Sequence, residues 1–300
     1  MNHPYFSIII PVYNRAELLL KSLNSLLSQT FLDYEVIIID DGSKEDIQEK
    51  IGWLLEKHSN IRFLKRENKE RGAARNLGIQ LADGNYVVLF DSDDLMHSNH
   101  LQVLYSSIQK QNEPNFITTK FNFIDDKGKI YNSDICKLSP GKYDYKLFLE
   151  GNPLACNICF KNKLSNFIPF VEDRAYAIKE DWMFLMSNMK DNQLLLIDEI
   201  TLTMFDHNER SMRSGNSTII SKTLKATEWI KNNISLTSKE LRKLEAHKNY
   251  FCGIHSYLDE KEREAINYSL AAIKYGGLKI KYVSLLIKSV IGRKLIIKLK

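Results

Sequence analysis

The sequence predicts an α/β protein in which a mostly parallel central sheet is flanked by helices, followed by a small helical C-terminal region. Two observations predict this class. In the first hundred residues, short runs rich in Ile and Val alternate with segments of helical periodicity. The runs are apolar almost throughout, which is typical of parallel strands that are covered by helices on both faces. After residue 219 only helical patterns occur.

The order of the first elements follows from these runs. The predicted strands are residues 6–12, 34–39, 61–64 and 86–90, and the predicted helices are residues 16–28, 44–57 and 71–82. Strands and helices that alternate in this way form parallel sheets with right-handed crossovers. Ligands of such sheets bind beyond the carboxyl ends of the strands. The polar residues that follow each run are therefore the first candidates for a binding site.

The middle and the end of the chain follow other patterns. Residues 115–124 and 129–135 alternate apolar and polar side chains around the sequence Asp-Asp-Lys-Gly, which predicts a hairpin. We predict a short helix at 143–149, a strand at 156–160 and a helix at 180–189. The predicted C-terminal helices are residues 221–232, 238–257, 260–275 and 278–291, with breaks at glycines 276, 277 and 292.

The composition, 44% apolar and 26% charged residues in a chain of 300, fits a soluble globular protein. The formal charge of +5 is uneven, because residues 274–300 hold eight Lys or Arg and no acid, which leaves −3 for the rest. This distribution excludes a nucleic-acid footprint spread over the body. The tail also contains Leu, Ile and Val. It predicts either a basic amphipathic element for an anionic membrane surface or packed helices with solvated lysines.

Four cysteines are too few for a disulfide scaffold and fit a reducing compartment. Cys156 and Cys159 lie in an apolar stretch and are predicted as buried strand residues. Residues 1–6 lack the charged leader and apolar core of a signal peptide. No run reaches the roughly 18 apolar residues of a membrane span. We therefore expect a cytoplasmic protein, with peripheral contact to the inner face of a membrane as a further hypothesis.

The sequence Asp91-Ser92-Asp93-Asp94, after the fourth strand, is the sharpest local signal. Three carboxylates within four residues repel one another unless they are solvated, hydrogen-bonded or neutralised by a cation. Hard oxygen ligands suit Mg²⁺ or Mn²⁺, which takes the rest of its shell from water and substrate phosphates. The alternative is an acidic turn that caps the following helix.

Three other polar clusters admit two interpretations each. Tyr13, in Pro-Val-Tyr-Asn, either stacks on a base or ends a core strand. Asp40 and Asp41, in Asp-Asp-Gly-Ser, are either binding residues or a helix cap with a glycine turn. The segment 71–76 opens a helix, where backbone N–H groups and an arginine could meet phosphate, or where basic side chains are simply solvated.

Together, the order and spacing of these motifs resemble the family 2 inverting glycosyltransferases. The motifs are Pro-Val-Tyr-Asn, Gln-Thr after the first helix, Asp-Asp-Gly-Ser, Gly-Ala-Ala-Arg-Asn-Leu-Gly and Asp-Ser-Asp-Asp. The similarity is dense over about the first hundred residues and thinner to about residue 215. It implies a GT-A type fold and a nucleotide-diphospho-sugar donor, with a UDP-sugar favoured.

The resemblance also implies roles for individual residues. The donor site would comprise Pro11, Tyr13, Asn14, Asp41, Arg75, Asp91, Ser92 and Asp93. In such enzymes the residue matching Tyr13 packs on the base, and the one matching Asp41 hydrogen-bonds it. The arginine matching Arg75 lies near the nucleotide-sugar. Asp91 and Asp93 match the Asp-x-Asp element that binds ribose, sugar and metal, with Asp93 as the direct ligand of Mn²⁺ or Mg²⁺. Asp94 is expected to be a neighbour that caps the following helix.

Two downstream segments complete the expected site. Glu180 and Asp181 match the acidic pair of the family, and Asp181 is the candidate base that takes the proton of the acceptor hydroxyl. The alternative is that two acids in a first helical turn only complement the helix dipole. His207 could complete the metal shell or bind phosphate, and Arg210 or Arg213 could neutralise the leaving diphosphate. The alternative for His207 is a solvated side chain in a polar loop.

We therefore expect an inverting hexosyl- or N-acetylhexosaminyl-transferase that glycosylates a hydroxyl of a glycan or lipid-linked acceptor, in capsule, O-antigen or other surface polysaccharide synthesis. Residues 1–215 would form the catalytic domain, with a donor-binding half at 1–100 and an acceptor-binding half at 101–215, and residues 216–300 the helical region. The alternative is a non-catalytic sugar-nucleotide-binding subunit. Two other classes with acidic residues near a strand end fit less well. A response-regulator receiver domain would account for less than half of the chain. A haloacid-dehalogenase-type phosphatase has its nucleophilic aspartate at the end of the first strand, whereas Asp91 ends the fourth.

Overall fold

The computed structural model describes residues 3–206 and 215–298. The chain divides into two compact units. The first unit comprises residues 1–144, 153–174 and 188–207, and the second comprises residues 145–152, 175–187 and 208–300. The division of the chain into functional domains at residue 215 stays a prediction.

The first unit contains a mixed sheet in which ten strands can be described. Their bounds are β1 Phe6–Val12, β2 Tyr34–Asp40, β3 Ile61–Lys65, β4 Tyr86–Leu89, β5 Asp94–Met96, β6 Phe116–Asp125, β7 Ile130–Asn132, β8 Gly141–Tyr143, β9 Ile158–Lys161 and β10 Leu194–Asp206. The strand order is β3-β2-β1-β4-β9-β6-β10-β5, with β7 paired to β6 and β8 to β10. β1 and β2 are buried at every residue, as expected for strands covered on both faces.

The direction of the strands determines which ends meet. β1 runs parallel to β2 and β4, and β6 runs parallel to β10. β9 is antiparallel to both β4 and β6, so β6 and β10 run in the same direction as β1. The carboxyl ends of β1, β2, β4, β6 and β10 therefore lie along one edge of the sheet, which we call the carboxyl edge. The strand ends at which the sequence predicts a binding site therefore all lie at this one edge.

Within the described part of the first unit, four α-helices accompany this sheet: α1 Ala16–Leu27, α2 Ile47–Lys57, α3 Glu70–Gln80 and α4 His100–Lys110. α2 begins three residues later than predicted because the Asp46 side chain accepts a hydrogen bond from the Glu49 N–H and thereby caps the helix. α3 approaches β1 closely, since a Cβ added at Gly78 would lie 2.3 Å from Ile9 Cγ2. A glycine at this position is required by packing.

The second unit is helical. Its elements include α5 Glu180–Asn188 up to residue 187, α6 Asn216–Asn233, α7 Ser238–Leu258, α8 Glu262–Gly276, α9 Ile280–Ile291 and α10 Arg293–Lys298. α7 begins with a capping box between Thr237 and Glu240. Gly277 and Gly292 have φ values of 78° and 86° and lie at two of the predicted breaks, whereas Gly276 is the last residue of α8 and α10 was not predicted. None of the described helices combines the length and the apolar composition of a membrane span.

An ionic cluster fastens α9 to the rest of the second unit. Glu150 forms ion pairs with Lys243, Lys279 and Lys281 at 3.5, 3.5 and 2.7 Å. Burial alone would raise the pKa of Glu150, but the hydrogen bond from Lys281 and the charges of the three lysines lower it to about 2. Two lysines of the basic tail therefore form internal ion pairs.

The structure corrects two expectations about local structure. Cys156 is buried in a turn before β9, so only Cys159 of the pair is a strand residue. Asp94 begins β5 and is buried, while the next helix, α4, starts after Asn99. Asp94 therefore caps no helix. The physical reason is that its strand pairs with β10, far away in sequence.

Candidate active site

Hydrogen bonds link the loop after β1 to the turn after the parallel strand β2. Asn14 has a φ of 51°, and its backbone N–H donates a 2.8 Å hydrogen bond to Ser43 Oγ. Asn14 Oδ1 accepts from the Lys44 N–H at 2.7 Å. Tyr13 stands between β1 and this link with 43% of its surface exposed. An aromatic ring is therefore presented at the carboxyl edge, whereas Pro11 is buried within β1.

Asp41 follows β2 and is buried. Its Oδ1 accepts the Lys69 N–H at 3.0 Å, just before α3, and lies 3.5 Å from Arg66 Nε. Burial raises the pKa of Asp41 despite the backbone hydrogen bond and the Arg66 charge, which lower it. The adjacent Gly42 has a φ of 81°, and a Cβ there would lie 2.7 Å from the Asn68 nitrogen. The turn after β2 thus holds a carboxylate against the loop before α3.

Arg75 projects from α3 toward the residues after β4. Its Nη2 donates a 2.7 Å hydrogen bond to Asp91 Oδ1, and its side chain is only 2% exposed. The Arg75 Cζ also lies 5.4 Å from the centroid of the Phe170 ring, within the range of cation–π attraction. A buried guanidinium therefore orients one carboxylate of the acidic motif.

The acidic motif forms a compact cluster at the carboxyl edge. Asp91, Asp93 and Asp94 each offer an oxygen, and these three oxygens lie within 4.8 Å of one another. Asp91 and Asp93 are partly exposed, whereas Ser92 and Asp94 are buried. Arg15 Nη1 forms an ion pair with Asp93 Oδ2 at 2.7 Å. Converging carboxylate oxygens with two accessible members match the donor set that Mg²⁺ or Mn²⁺ prefers.

In the second unit, Glu180 and Asp181 form the first turn of α5. Asp181 Oδ2 accepts a 2.9 Å hydrogen bond from Asn152 Nδ2, and Asp181 Oδ1 accepts the Trp182 N–H at 2.8 Å. Glu180 is buried. Trp182 is buried as well, and its Nε1–H donates to the Phe148 carbonyl at 2.8 Å. The Asn152 side chain and the Trp182 N–H thus both hold the side chain of Asp181.

Lys179 precedes this acidic pair and has an unusual environment. Its Nζ lies 4.3 Å from the centroid of the Phe251 ring. Burial lowers the pKa of Lys179, while the charges of Asp181, Cys252 and Glu180 oppose that change. A buried cation therefore stands beside the acidic pair within the same unit.

The first unit brings together most predicted donor-site residues at the carboxyl edge: Tyr13, Asn14, Asp41, Arg75, Asp91, Ser92 and Asp93. Glu180 and Asp181 belong to the second unit. His207, Arg210 and Arg213 lie outside the described residues. The sequence assigned no individual role to Arg15 or Asp206, which both lie at the carboxyl edge. The position of Arg15, directly after the Pro-Val-Tyr-Asn motif, was the available signal.

The strand order, the crossing helices and the acidic cluster after β4 define an α/β protein of GT-A type. The solved structures agree with this class. Crystal structures of S. aureus TarS 1-349 superpose with TM-scores of 0.65 and, for the complex with UDP-GlcNAc, 0.68. In the second case the alignment covers 94% of this chain and 84% of the other at 20% identity. At this identity the likeness concerns the fold.

Sequence comparisons give the family. The family model "Glycosyl transferase family 2" matches residues 7–168. An uncharacterized glycosyltransferase of Rickettsia bellii is 41% identical over 127 residues, which is 42% of this chain and 18% of the relative. The Escherichia coli protein named UDP-Glc:alpha-D-GlcNAc-diphosphoundecaprenol beta-1,3-glucosyltransferase WfgD is 30% identical over 195 residues, 64% of this chain and 72% of the relative. The chain belongs to glycosyl transferase family 2, a family of transferase enzymes.

The coverage of these relatives differs. The matched segments span about a fifth of the length of the first three curated relatives, 18%, 22% and 21%. The shared part is thus one module within those longer proteins.

Proposed function

We propose that this protein is an inverting glycosyltransferase that transfers a hexose or N-acetylhexosamine from a nucleotide-diphospho-sugar, preferably a UDP-sugar, to a hydroxyl of a glycan or lipid-linked acceptor. The acidic cluster, oriented by Arg75 and Arg15, is the observation that carries the proposal. The name of WfgD supports a UDP-sugar donor and a lipid-linked acceptor, and the name of the E. coli chondroitin synthase supports a polysaccharide product. We place the reaction in capsule, O-antigen or other surface polysaccharide synthesis.

The donor would bind along the carboxyl edge. The exposed ring of Tyr13 is suited to stack on the base. Asp41, held by the Lys69 N–H, would accept a hydrogen bond from uracil. Pro11 and Asn14 would shape this end of the site through the link between β1 and β2. Arg75 would lie beside the nucleotide-sugar and keep Asp91 directed toward it.

The acidic cluster would hold one divalent cation, Mn²⁺ or Mg²⁺. Asp93 is the proposed direct ligand and Asp91 the second, with His207 as a candidate from outside the described residues. When bound, such a cation stabilises the negative charge that develops on the departing diphosphate. Arg210 and Arg213 are proposed to assist in the same neutralisation.

The transfer itself is a direct displacement. The acceptor oxygen attacks the anomeric carbon, the bond from that carbon to the diphosphate oxygen breaks, and the hydroxyl proton moves to a carboxylate. We assign this base to Asp181, whose hydrogen bonds from Asn152 and the Trp182 N–H would limit its rotation. Glu180 is proposed to contribute to the same site. Replacing Asp181 by Asn should abolish turnover and spare donor binding, and persistent turnover would remove this assignment.

A membrane surface is the proposed peripheral partner of residues 274–300. Ile280, which is 88% exposed, shares one face of α9 with Ile287 and Ile291, at positions i, i+7 and i+11. The opposite face, with Tyr282 and Leu285, is buried. Residues 274–298 contain no acid, and several of their lysines are exposed. An exposed apolar face bordered by cations suits an anionic bilayer surface.

Vesicle co-sedimentation tests this partner. The full chain should bind vesicles that contain phosphatidylglycerol at low salt, and less at high salt because of screening. Ile287→Glu should abolish binding, whereas Leu32→Glu, at an exposed apolar residue of the first unit, should not. Equal binding of both variants would overturn the assignment. The assignment would also be overturned if the wild type did not bind the vesicles and instead formed a dimer that the Ile287→Glu substitution dissociates.

A thermal-shift screen tests the proposed function. Nucleotides, nucleotide-sugars and free sugars are compared with Mn²⁺, with Mg²⁺ and with EDTA. A ligand that binds only the folded state stabilises it with the logarithm of its excess over Kd. We expect the largest shift with a UDP-sugar and a divalent cation. No shift with any nucleotide diphosphate would contradict the proposal, and a shift without turnover on any acceptor would favour a non-catalytic binding subunit.

A further inference from the structure

One row of residues crosses four adjacent strands at the carboxyl edge. Asp94 on β5 pairs with Met204 on β10, Met204 pairs with Phe123 on β6, and Phe123 pairs with Tyr131 on β7. Residues that pair directly across strands project from the same face of a sheet. The row therefore leads on one face from the acidic cluster to the β6–β7 hairpin.

Solvent exposure along this row is greatest at the hairpin. Asp94 and Met204 are buried, Phe123 is half-buried and Tyr131 is 38% exposed. The rings of Phe123 and Tyr131 are stacked, with centroids 5.3 Å apart and an interplanar angle of 26°. An aromatic surface that reaches solvent thus adjoins the acidic cluster.

A carboxylate borders the same surface. Asp206, two residues beyond Met204 on β10, accepts a 2.5 Å hydrogen bond from the Tyr131 hydroxyl through its Oδ2. Residues two apart on a strand share a face, so Asp206 projects on the side of the stacked rings. The hydrogen bond orients the Tyr131 ring and places the Asp206 carboxylate beside it.

This combination matches the chemistry of a pyranose ring. The axial C–H groups of a pyranose form an apolar patch that packs on an aromatic face, and its equatorial hydroxyls are hydrogen-bond donors for a carboxylate. Three steps of strand spacing, about 4.8 Å each, separate the backbone of Asp94 from that of Tyr131, so the distance is about 14 Å. A donor sugar at the acidic cluster would leave room for one further ring.

We infer that Phe123, Tyr131 and Asp206 form the subsite for the terminal pyranose of the acceptor. This inference rests on the proposed function. It gives the acceptor a chemical class, a glycan whose reacting end is a pyranose with a free equatorial hydroxyl, and it makes the β6–β7 hairpin a determinant of specificity. Tyr131 is a binding residue, and Asp206 acts both on the sugar and through Tyr131.

Saturation-transfer NMR with the full chain tests the subsite. The probes are methyl glycosides of glucose, galactose and N-acetylglucosamine. We expect saturation of the pyranose C–H protons by the wild type and at least a fivefold loss in Tyr131→Ala. Tyr131→Phe should retain most of the signal because the ring remains. Trp53→Ala removes an exposed aromatic residue of α2 and is the matched control, with no loss.

The UDP-dependent thermal shift is recorded on the same samples, so the two hypotheses fail separately. Loss of glycoside saturation with an unchanged UDP shift supports the subsite. Equal saturation of Tyr131→Ala and wild type, or no saturation of any glycoside by the wild type, overturns it. If UDP does not shift the melting temperature of the wild type, the proposed UDP-sugar donor is overturned. The saturation-transfer result with the glycosides then still decides on the subsite.

Discussion

The Arg75 guanidinium, almost fully buried in the first unit, donates a 2.7 Å hydrogen bond to Asp91 Oδ1. A buried charge without a partner is costly, whereas a paired one is tolerated. The ion pair therefore links the stability of α3 to the orientation of the acidic cluster. Two residues that we propose for the donor site therefore also stabilise the fold.

Arg75→Ala should destabilise the protein by about 2–4 kcal/mol, because Asp91 loses its partner and a cavity forms. Urea unfolding measures this change. The exposed ion pair of Lys137 with Asp134 provides the control. Lys137→Ala should leave the unfolding midpoint unchanged, since solvent screens such pairs. If the two substitutions changed the free energy of unfolding equally, the buried ion pair of Arg75 would contribute no more to stability than the exposed one.

Asp41→Asn should reduce UDP affinity about tenfold, in line with the roughly 1.5 kcal/mol of a charge-assisted hydrogen bond. The fold should persist because the amide oxygen can still accept the Lys69 N–H. Titration calorimetry with UDP measures the affinity. Asp46→Asn, at the cap of α2, is the matched control and should bind UDP as the wild type does. Unchanged affinity of Asp41→Asn would exclude a contact between Asp41 and the base.

Two glycine substitutions should act in opposite directions. Gly78→Ala should cost about 1–3 kcal/mol, because the new methyl group would overlap Ile9 in the core. Gly52→Ala, within α2, meets no atom within 4 Å and should stabilise the protein by about 0.5–1 kcal/mol. Thermal or urea unfolding distinguishes the two. A stabilising Gly78→Ala would contradict the close approach of α3 to β1.

Acid should weaken the second unit through Glu150. Its folded pKa of about 2 is below the ordinary value of 4.5. The stabilisation from its charge is therefore complete above pH 4.5 and is lost as the pH falls toward 2. The Glu150→Gln variant should have a lower free energy of unfolding than the wild type at pH 6. Its free energy of unfolding should also fall less steeply as the pH decreases from 4.5 toward 2. Parallel pH profiles of the two proteins would contradict the lysine cluster.

The sequence was sufficient for the parts of the fold that local patterns determine. β1 was predicted without error and β2 within one residue, because strands buried on both faces are continuous apolar runs. The hairpin of β6 and β7 was also predicted, from alternation and its turn. The convergence of Tyr13, Asp41 and Asp91 on one edge followed from the rule that parallel strands end together.

The elements that the sequence did not reveal depend on distant partners. β5 has only three residues and is a strand because it pairs with β10. β10 is interrupted by register shifts between Leu196 and Leu202, which break its alternation. α4 is the exception: it was not predicted, although its apolar positions, among them Leu101, Leu104 and Ile108, were a usable local signal for a helix. The pairing of Arg15 with Asp93 had no local signal, because 78 residues separate the two.

The most direct test of the central claim is calorimetric titration of UDP into the wild type and Asp93→Asn, each with Mn²⁺ and with EDTA. We predict that the wild type binds UDP with Mn²⁺ and at least tenfold more weakly with EDTA, and that Asp93→Asn loses this dependence on the cation. Asp94→Asn serves as a comparison for the buried member of the cluster. If Asp93→Asn and the wild type bound UDP equally well with Mn²⁺, the acidic cluster would not be the metal and diphosphate site.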